Sequence, residues 1–419
     1  PGIARTYAAN EKMRMASIGA GGQAGGGVSS ALGEQLVAIA EDDQGNRGKK
    51  MIERALEKQP DVKIYSDYRK LFDKHQELDA VAVATPDHNH FSASMRALHA
   101  GAGVYCEKPL TWSIWEARKL RETAITKKLP TQMGNQGHSS DSIRLICEHI
   151  WAGNRGEVRE VHCISNRRFS AKGRPDSQPV PEGLDWDAWI GPAPFRDYHN
   201  GLHPFSWRGW LDFGTGSLGD MACHTMDGAV WALKLYEVDS FTVESLYGEP
   251  TDEGYPQQAE IRYQFPARGD MPPVTLTWYH GGRMPPRPAA LDEGVPMQNQ
   301  GSYFIGEKCA MQSGSHCQGT RLLPAKVEKE TERPKQMIER VKGGHRGEWM
   351  NACRTRDGHM PSSNFDYAGR LTEIVLAGNL AQLSGEKVTY NMKTGETGNA
   401  KADALLSRKP RKGWEDFYE

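Results

Sequence analysis

The sequence predicts a two-domain α/β protein: a doubly wound parallel sheet, then an α+β domain built on an open, largely antiparallel sheet. Three observations predict it. A short strand runs straight into a glycine turn, Gly19-Ala20-Gly21-Gly22-Gln23-Ala24-Gly25. Near-continuous apolar runs, such as residues 78–84, then alternate with helical patterns, as strands buried on both faces should. After residue 155 the intervening helices vanish, and β-rich runs follow one another across long turns.

Length and composition bound the reading. The 419 residues allow two or three domains with sizeable cores. Charge is balanced, 52 basic against 53 acidic residues, which argues against a nucleic-acid partner or a polybasic membrane surface. No apolar run approaches the roughly 20 residues of a membrane span. The seven cysteines stand singly, without a CxxC pair, so neither a disulfide framework nor a zinc pattern is indicated.

Residues 1–12 read as a leader or linker. Small residues at Ala8 and Ala9 resemble the end of an export signal, so a periplasmic or secreted location is expected, with a cytoplasmic one as the alternative. The first domain is expected over 13–136. Residues 13–18 form its first strand, and the glycine turn has the GxGxxA form, in which Ala24 still lets helix and strand pack closely. Such a turn lets a pyrophosphate approach the helix N-terminus, making Gly19, Gly21, Gly22, Gln23 and Ala24 candidate cofactor contacts. A second strand, 35–40, ends in Glu41, about twenty residues on, where a carboxylate bonds a ribose 2′-hydroxyl and repels a 2′-phosphate. NAD is therefore favoured over NADP, although Arg47 nearby is a residue that could accept such a phosphate.

The strand over 78–84 ends in Thr85-Pro86-Asp87-His88-Asn89-His90. The next, from Gly103, ends in Glu107-Lys108-Pro109, where proline forces the chain out of the sheet. Ligands in such sheets bind at the carboxyl ends of strands, so a lysine held there sits where a substrate meets a nucleotide. Ser113-x-x-Glu116 is a capping box opening a helix to about Lys127. A last strand covers 129–135, and apolar residues at 143, 146, 147, 150 and 151 mark an amphipathic helix.

The second domain is expected over 137–390, with strands near 157–165, 241–248, 257–265, 273–280 and 301–306. An insertion, 170–215, holds Trp186, Trp189, Trp207 and Trp210; their faces suit either sugar C–H faces or core packing. A helix is expected over 364–383, stopped at Gly385, and the polar tail 391–419 is expected to wrap the surface. Between these lies Asp220-x-x-x-His224-x-x-Asp227. On a helix Asp220 and His224 share a face, and histidine can move a proton near neutral pH beside a carboxylate that fixes its tautomer. A metal pair lacks a third ligand at suitable spacing, so no metal is expected.

Together, the glycine turn, Thr85-Pro86 with His90, Glu107-Lys108-Pro109 and the Asp220–His224–Asp227 spacing resemble the glucose-fructose oxidoreductase / inositol dehydrogenase (Gfo/Idh/MocA) family over most of the chain. The resemblance implies a Rossmann domain with NAD(H) or NADP(H), a sugar, glycoside or polyol substrate oxidised at a CH–OH group, and homodimers or homotetramers packed through the open sheet. It implies Lys108 and His224 as the proton-handling pair, with Asp220 placing the substrate. Cofactor contacts would then include Thr85, Pro86, His90, Glu107 and Lys108 beside the glycine turn and Glu41. Candidate substrate contacts are Lys108, Asn135, Trp207, Arg208, Asp220 and His224. Which of the pair is the immediate base stays open; His224 is preferred, with Lys108 polarising the oxygen, because Glu107 opposes any lowering of the lysine pKa. Two other functions are alternatives: a redox-neutral glycoside hydrolase that oxidises its substrate transiently, which the same residues serve, and a non-catalytic NAD-sensing or sugar-binding protein, whose expected loss of Lys108 or His224 is not seen.

Overall fold

The computed structural model describes residues 11–153, 156–356 and 359–419; Ala8 and Ala9 lie outside the described residues. Six strands, β1 (Arg14–Ile18), β2 (Gln35–Ala40), β3 (Lys63–Tyr65), β4 (Ala80–Val83), β5 (Gly103–Cys106) and β6 (Thr131–Met133), alternate with five α-helices. These are α1 (Gly25–Ala31), α2 (Lys49–Lys58), α3 (Tyr68–Lys74), α4 (Asp87–His99) and α5 (Ile114–Lys127). The strands pair in parallel in the order β3-β2-β1-β4-β5-β6. The order reverses between β1 and β4, so the loops leaving these strands part to opposite faces and leave a crevice between them. Gly19 sits at that point with φ +95°, and a Cβ there would lie 2.8 Å from the Ala84 carbonyl oxygen. Only glycine fits.

The capping box at Ser113 and Glu116 forms as the sequence implies, and α5 follows it. After α6 (Asp141–Trp151), β7 (Val158–Ser165) enters a second sheet of eight strands. Helices α7 (Trp186–Ile190), α8 (Gly216–Thr225) and α9 (Asp227–Ala232) precede β8 (Ser240–Tyr247), β9 (Ala259–Phe265), β10 (Val274–His280), β11 (Gly301–Gly306), β12 (Ala310–Ser313) and β13 (Arg321–Leu323). Then come α10 (Ala325–Glu330), α11 (Gly344–Thr355), α12 (Phe365–Ser384), β14 (Val388–Asn391) and α13 (Ala400–Asp403). The order is β13-β12-β11-β7-β10-β9-β8-β14, antiparallel throughout except for the central β7–β10 pair. α12 packs against α5 and α8, so one apolar cluster runs from the parallel sheet into the second.

Two placements differ from a simple division at residue 136. Helix α11 belongs to the first core: Trp349 and Cys353 are buried with Met13, Met15, Val28 and Tyr105. The tail also returns to the first domain. Trp414 packs on Tyr68 beneath the Arg69 guanidinium, and Tyr418 stacks on Trp115. The insertion's tryptophans pack as core: Trp186 stacks on Trp189 at 4.6 Å, within a cluster that includes Trp207, Trp210 and Phe213. That small core docks on the edge of the parallel sheet through Asp185 N–H to the Asp42 carbonyl, Gln44 N–H to the Gly183 carbonyl, and Ser66 Oγ to Asp185 Oδ2.

Candidate active site

A cavity of about 320 Å³ opens at the switch point of the parallel sheet. Its walls run without a break from Gly19, Gly21, Gly22 and Gln23, past Glu41, Asp42, Thr85, Pro86 and Glu107, to Lys108, Trp207, Arg208 and Asp220. The tryptophan-rich insertion supplies the far side through Trp189, His203 and Phe205.

At the nucleotide end, the Glu41 carboxylate turns inward. Its Oε2 accepts from the Ala20 and Gly21 N–H groups at 2.6 and 3.0 Å, and its Oε1 from Asp43 N–H. It thus braces the glycine turn as well as lining the cavity. Asp42 stands beside it, its pKa raised well above the usual range by burial and by the Glu41 charge. Arg47 covers the glycine turn: a Cβ on Gly22 would lie 3.0 Å from its Nη2. Ala24, 1% exposed, fills the place of the third glycine.

A dinucleotide fits these residues. The turn presents backbone N–H groups at a helix start, and Glu107 lines the cavity, its Oε2 buried against Gly134 without a partner. Its other oxygen accepts from Arg346 at 3.0 Å. Burial raises the Glu107 pKa, opposed by Arg346 and Lys108.

At the far end, Lys108 leaves β5 on a cis peptide to Pro109 and meets α8 of the second domain. Its Nζ donates to Asp220 Oδ1 at 2.8 Å and to the Asp220 carbonyl at 2.9 Å. Arg208 Nε donates to the same Oδ1 at 3.2 Å. Although burial opposes it, the charges of Lys108 and Arg208 hold the Asp220 carboxyl far below the ordinary carboxylate range. Asp87, at the first turn of α4, receives Thr215 Oγ1 at 2.6 Å, and burial pushes its pKa up to about 7.

Three candidates stand elsewhere than expected. His90 is 1% exposed, with its ring nitrogens facing the Pro109 and Thr85 carbonyls at 2.8 Å each. A neutral imidazole donates to only one of them, but both ring nitrogens face backbone, and the ring is absent from the cavity wall. Asn135 is fully buried, donating to Asp227 Oδ2 at 2.9 Å and accepting from Ser363 Oγ. It is sealed from the cavity because the α9 carboxylate claims its amide. His224 is also absent from the cavity wall, lying one turn along α8 from Asp220. Its ring packs 4.1 Å from that of His316, and its Nδ1 is buried and unpartnered. Burial, then Lys108 and His316, drives its pKa well below the usual histidine value.

Sequence reasoning missed Asp87, Asp42 and Arg346. Asp87 had a signal, an acid in the first turn of a helix leaving a switch-point strand. Arg346 had none, since it reaches Glu107 and the Tyr105 ring from 239 residues away. Among the described residues, no group of three or more His, Cys, Asp or Glu is placed to hold a metal.

Comparisons with known proteins agree with this architecture. Residues 13–135 match the model of the oxidoreductase family's NAD-binding Rossmann fold, and residues 165–253 match that family's C-terminal alpha/beta domain, together about half the chain. A D-xylose 1-dehydrogenase (NADP(+)) from Hypocrea jecorina is 40% identical over 95 residues, 23% of this chain and 24% of that protein. Inositol 2-dehydrogenase 1 from Saccharopolyspora erythraea is 32% identical over 141 residues, 33% of this chain and 39% of that one. These alignments span well under half of either relative. An inositol dehydrogenase homologue from Azotobacter vinelandii, solved with NADH and myo-inositol, superposes with a TM-score of 0.58 at 20% identity, covering 91% of this chain and 98% of that one. With both domain models matched in order, on the sheets that carry the cavity, this chain belongs to the Gfo/Idh/MocA oxidoreductase family.

Proposed function

We propose that the protein is an NAD-dependent oxidoreductase acting on a CH–OH group of a sugar, glycoside or polyol. One observation carries the reading: a single cavity joins the glycine turn to the Lys108–Asp220–Arg208 cluster. Bound NAD would supply the hydride acceptor, held by the glycine turn, with Glu107 in the wall beside it. The Glu41 carboxylate at the end of β2 disfavours a 2′-phosphate, although Arg47 lines the same cavity over the glycine turn.

The protein's own groups handle the proton. An ammonium has three donors, and two of those on Lys108 go to Asp220, leaving one for a substrate hydroxyl. Asp220, fixed by Lys108 and Arg208, sets that geometry. Lys108 polarises the oxygen, and for His224 to accept the hydroxyl proton its buried, unpartnered Nδ1 must come to the cavity wall, behind which it lies. The test is a panel of sugars, polyols and aryl glycosides with NAD. NADH absorbance growing with substrate supports the reading. Aglycone release without NADH would replace it by redox-neutral hydrolysis, and neither response would leave a binding or sensing protein.

Two further proposals come from the sequence. Export rests on Ala8-Ala9 and is checked by finding the mature protein outside the cytosol. Association through the second sheet rests on the family resemblance, and light scattering showing a monomer at micromolar concentration would end it.

A further inference from the structure

The cleft beside Lys108 gathers more positive charge than a neutral sugar can use. Lys108 and Arg208 share one carboxylate, Asp220. The Arg208 guanidinium lies 4.2 Å from the Trp207 ring, 4.5 Å from Phe205 and 5.8 Å from Phe169. Arg167 reaches the same Phe169 ring, at 5.9 Å. It is exposed, and no carboxylate among the described residues pairs with it.

Phe169 ties this group to the site, because its N–H donates to Ser217 Oγ on α8, one turn before Asp220. His316 closes the ring of side chains. It packs on His224 and is steadied by Ser315 Oγ at its Nδ1. Lys108 and Arg167 both act on it as neighbouring charges, with Asp220 opposing them. Lys108 and Arg208 thus hold one firmly ionised carboxylate, and Arg167 shares the Phe169 ring with Arg208. Asp87 and Glu107, further acids in this wall, have their pKa values raised by burial, Asp87 to about 7. Phe205, 48% exposed and edge-to-face with Phe169 at 5.7 Å, gives the same mouth an apolar side.

We infer that this mouth selects a sugar bearing a carboxylate, with Arg167 as the specificity-determining residue that receives it. The inference rests on the reading that the cleft takes a sugar beside NAD, and it names which kind. In water an unpaired arginine is well solvated. Once a sugar ring fills the mouth and displaces that water, an unmatched cation becomes costly unless the ligand brings an anion. A guanidinium fork matches a carboxylate with two parallel hydrogen bonds. The Phe169 and Phe205 rings would meet the apolar face of the sugar.

The experiment compares matched pairs, glucuronate with glucose and galacturonate with galactose, free and as 4-nitrophenyl glycosides, on the NAD-loaded protein. Binding is read by calorimetry and kcat/KM by NADH or nitrophenol. The uronates should lead by roughly tenfold to a hundredfold, the range of a charge-assisted hydrogen bond. That ratio should shrink with added salt, collapse toward one in Arg167→Met, and survive in part in Arg167→Lys. Arg167 is exposed, and an unchanged melting temperature would show that the variants fold. A ratio near one in the wild type, a ratio untouched by Arg167→Met, or sulfated sugars bound better than uronates would overturn the inference. Preferential uronate binding without turnover of any sugar would support the subsite and overturn the oxidoreductase reading. Turnover of neutral sugars without uronate preference would do the reverse.

Discussion

Two polar clusters lie seven residues apart on successive helices, and they have opposite surroundings. Asp220 on α8 meets Lys108 and Arg208 at the cavity wall. Asp227, opening α9, meets Asn135, His138 and Tyr367 OH, the last at 2.6 Å, and is 1% exposed. The first carboxylate binds two cations that retain donors facing open space. The second is bonded by three side chains and faces no cavity. Similar chemistry thus does different work: an unfinished cluster can act on a ligand, whereas a completed one holds helices together.

Breaking the first cluster should give the largest effect. Lys108→Met is expected to lower turnover by roughly 10²–10⁴-fold, while Arg208 keeps Asp220 paired and the melting temperature moves little. Steady-state kinetics and calorimetry on one preparation would decide it, and an unfolded variant would make Lys108 structural. Breaking the second should do the opposite. Asp227→Ala strands buried donors on Asn135, His138 and Tyr367, at a cost of about 3–5 kcal/mol. Denaturant melts should show that loss, with turnover per folded molecule close to wild type.

Acid should also act on the enclosed histidines before the cleft. Burial lowers His88 and His345 to about 3, and His90 and His280 to about 4, from an ordinary 6.5. Between those values and 6.5 the unfolded chain binds protons that the folded one refuses. Stability therefore falls as pH drops through this window, by about 1.4 kcal/mol per pH unit for each histidine. Asp87 runs the other way: its raised folded pKa means it loses stability as pH rises toward 7. Melts from pH 7 to 4 should show net destabilisation on acidification, and a flat profile would contradict the enclosed state of these rings.

The smallest expected effect is at the nucleotide end. Glu41→Ala removes both the brace on the glycine turn and the charge that repels a 2′-phosphate. NAD affinity should fall roughly tenfold, on the scale of one hydrogen bond to a charged group, and the preference over NADP should narrow. Titration calorimetry with both nucleotides would show it. An unchanged ratio would shift selectivity to Asp42.

Regular elements were legible in the sequence wherever local pattern and tertiary environment agree. The helix expected over 364–383 spans Phe365–Ser384, and Gly385 ends it at φ +69°. The strand runs at 157–165 and 273–280 became the parallel pair at the centre of the second sheet. Strands β12 to β14 were missed because each is only three or four residues long and carries no period of its own. In the site, spacing put Asp220 on α8 but could not tell a wall from its backing. Asn135 and His90 carry ligand-like side chains, yet their partners are a distant carboxylate and two backbone carbonyls. Arg208 was legible as a candidate, whereas its sharing of Asp220 with Lys108 depends on two domains meeting.

The return of α11 and the C-terminal tail to the parallel sheet bears on how the protein is made. A nascent chain that has emerged only as far as residue 136 carries all six strands of that sheet, but not Trp349, Cys353, Trp414 or Tyr418. The surfaces under Tyr105, Tyr68 and Trp115 stay wet until synthesis is nearly finished. Domain-by-domain folding from the N-terminus, the usual course for multidomain chains, is therefore incomplete here by construction. The half-finished nucleotide domain would be a client for chaperones, and separately expressed halves should each expose apolar surface. Substitutions at Trp349 or Trp414 should lower soluble yield more than the activity of the molecules that reach the folded state.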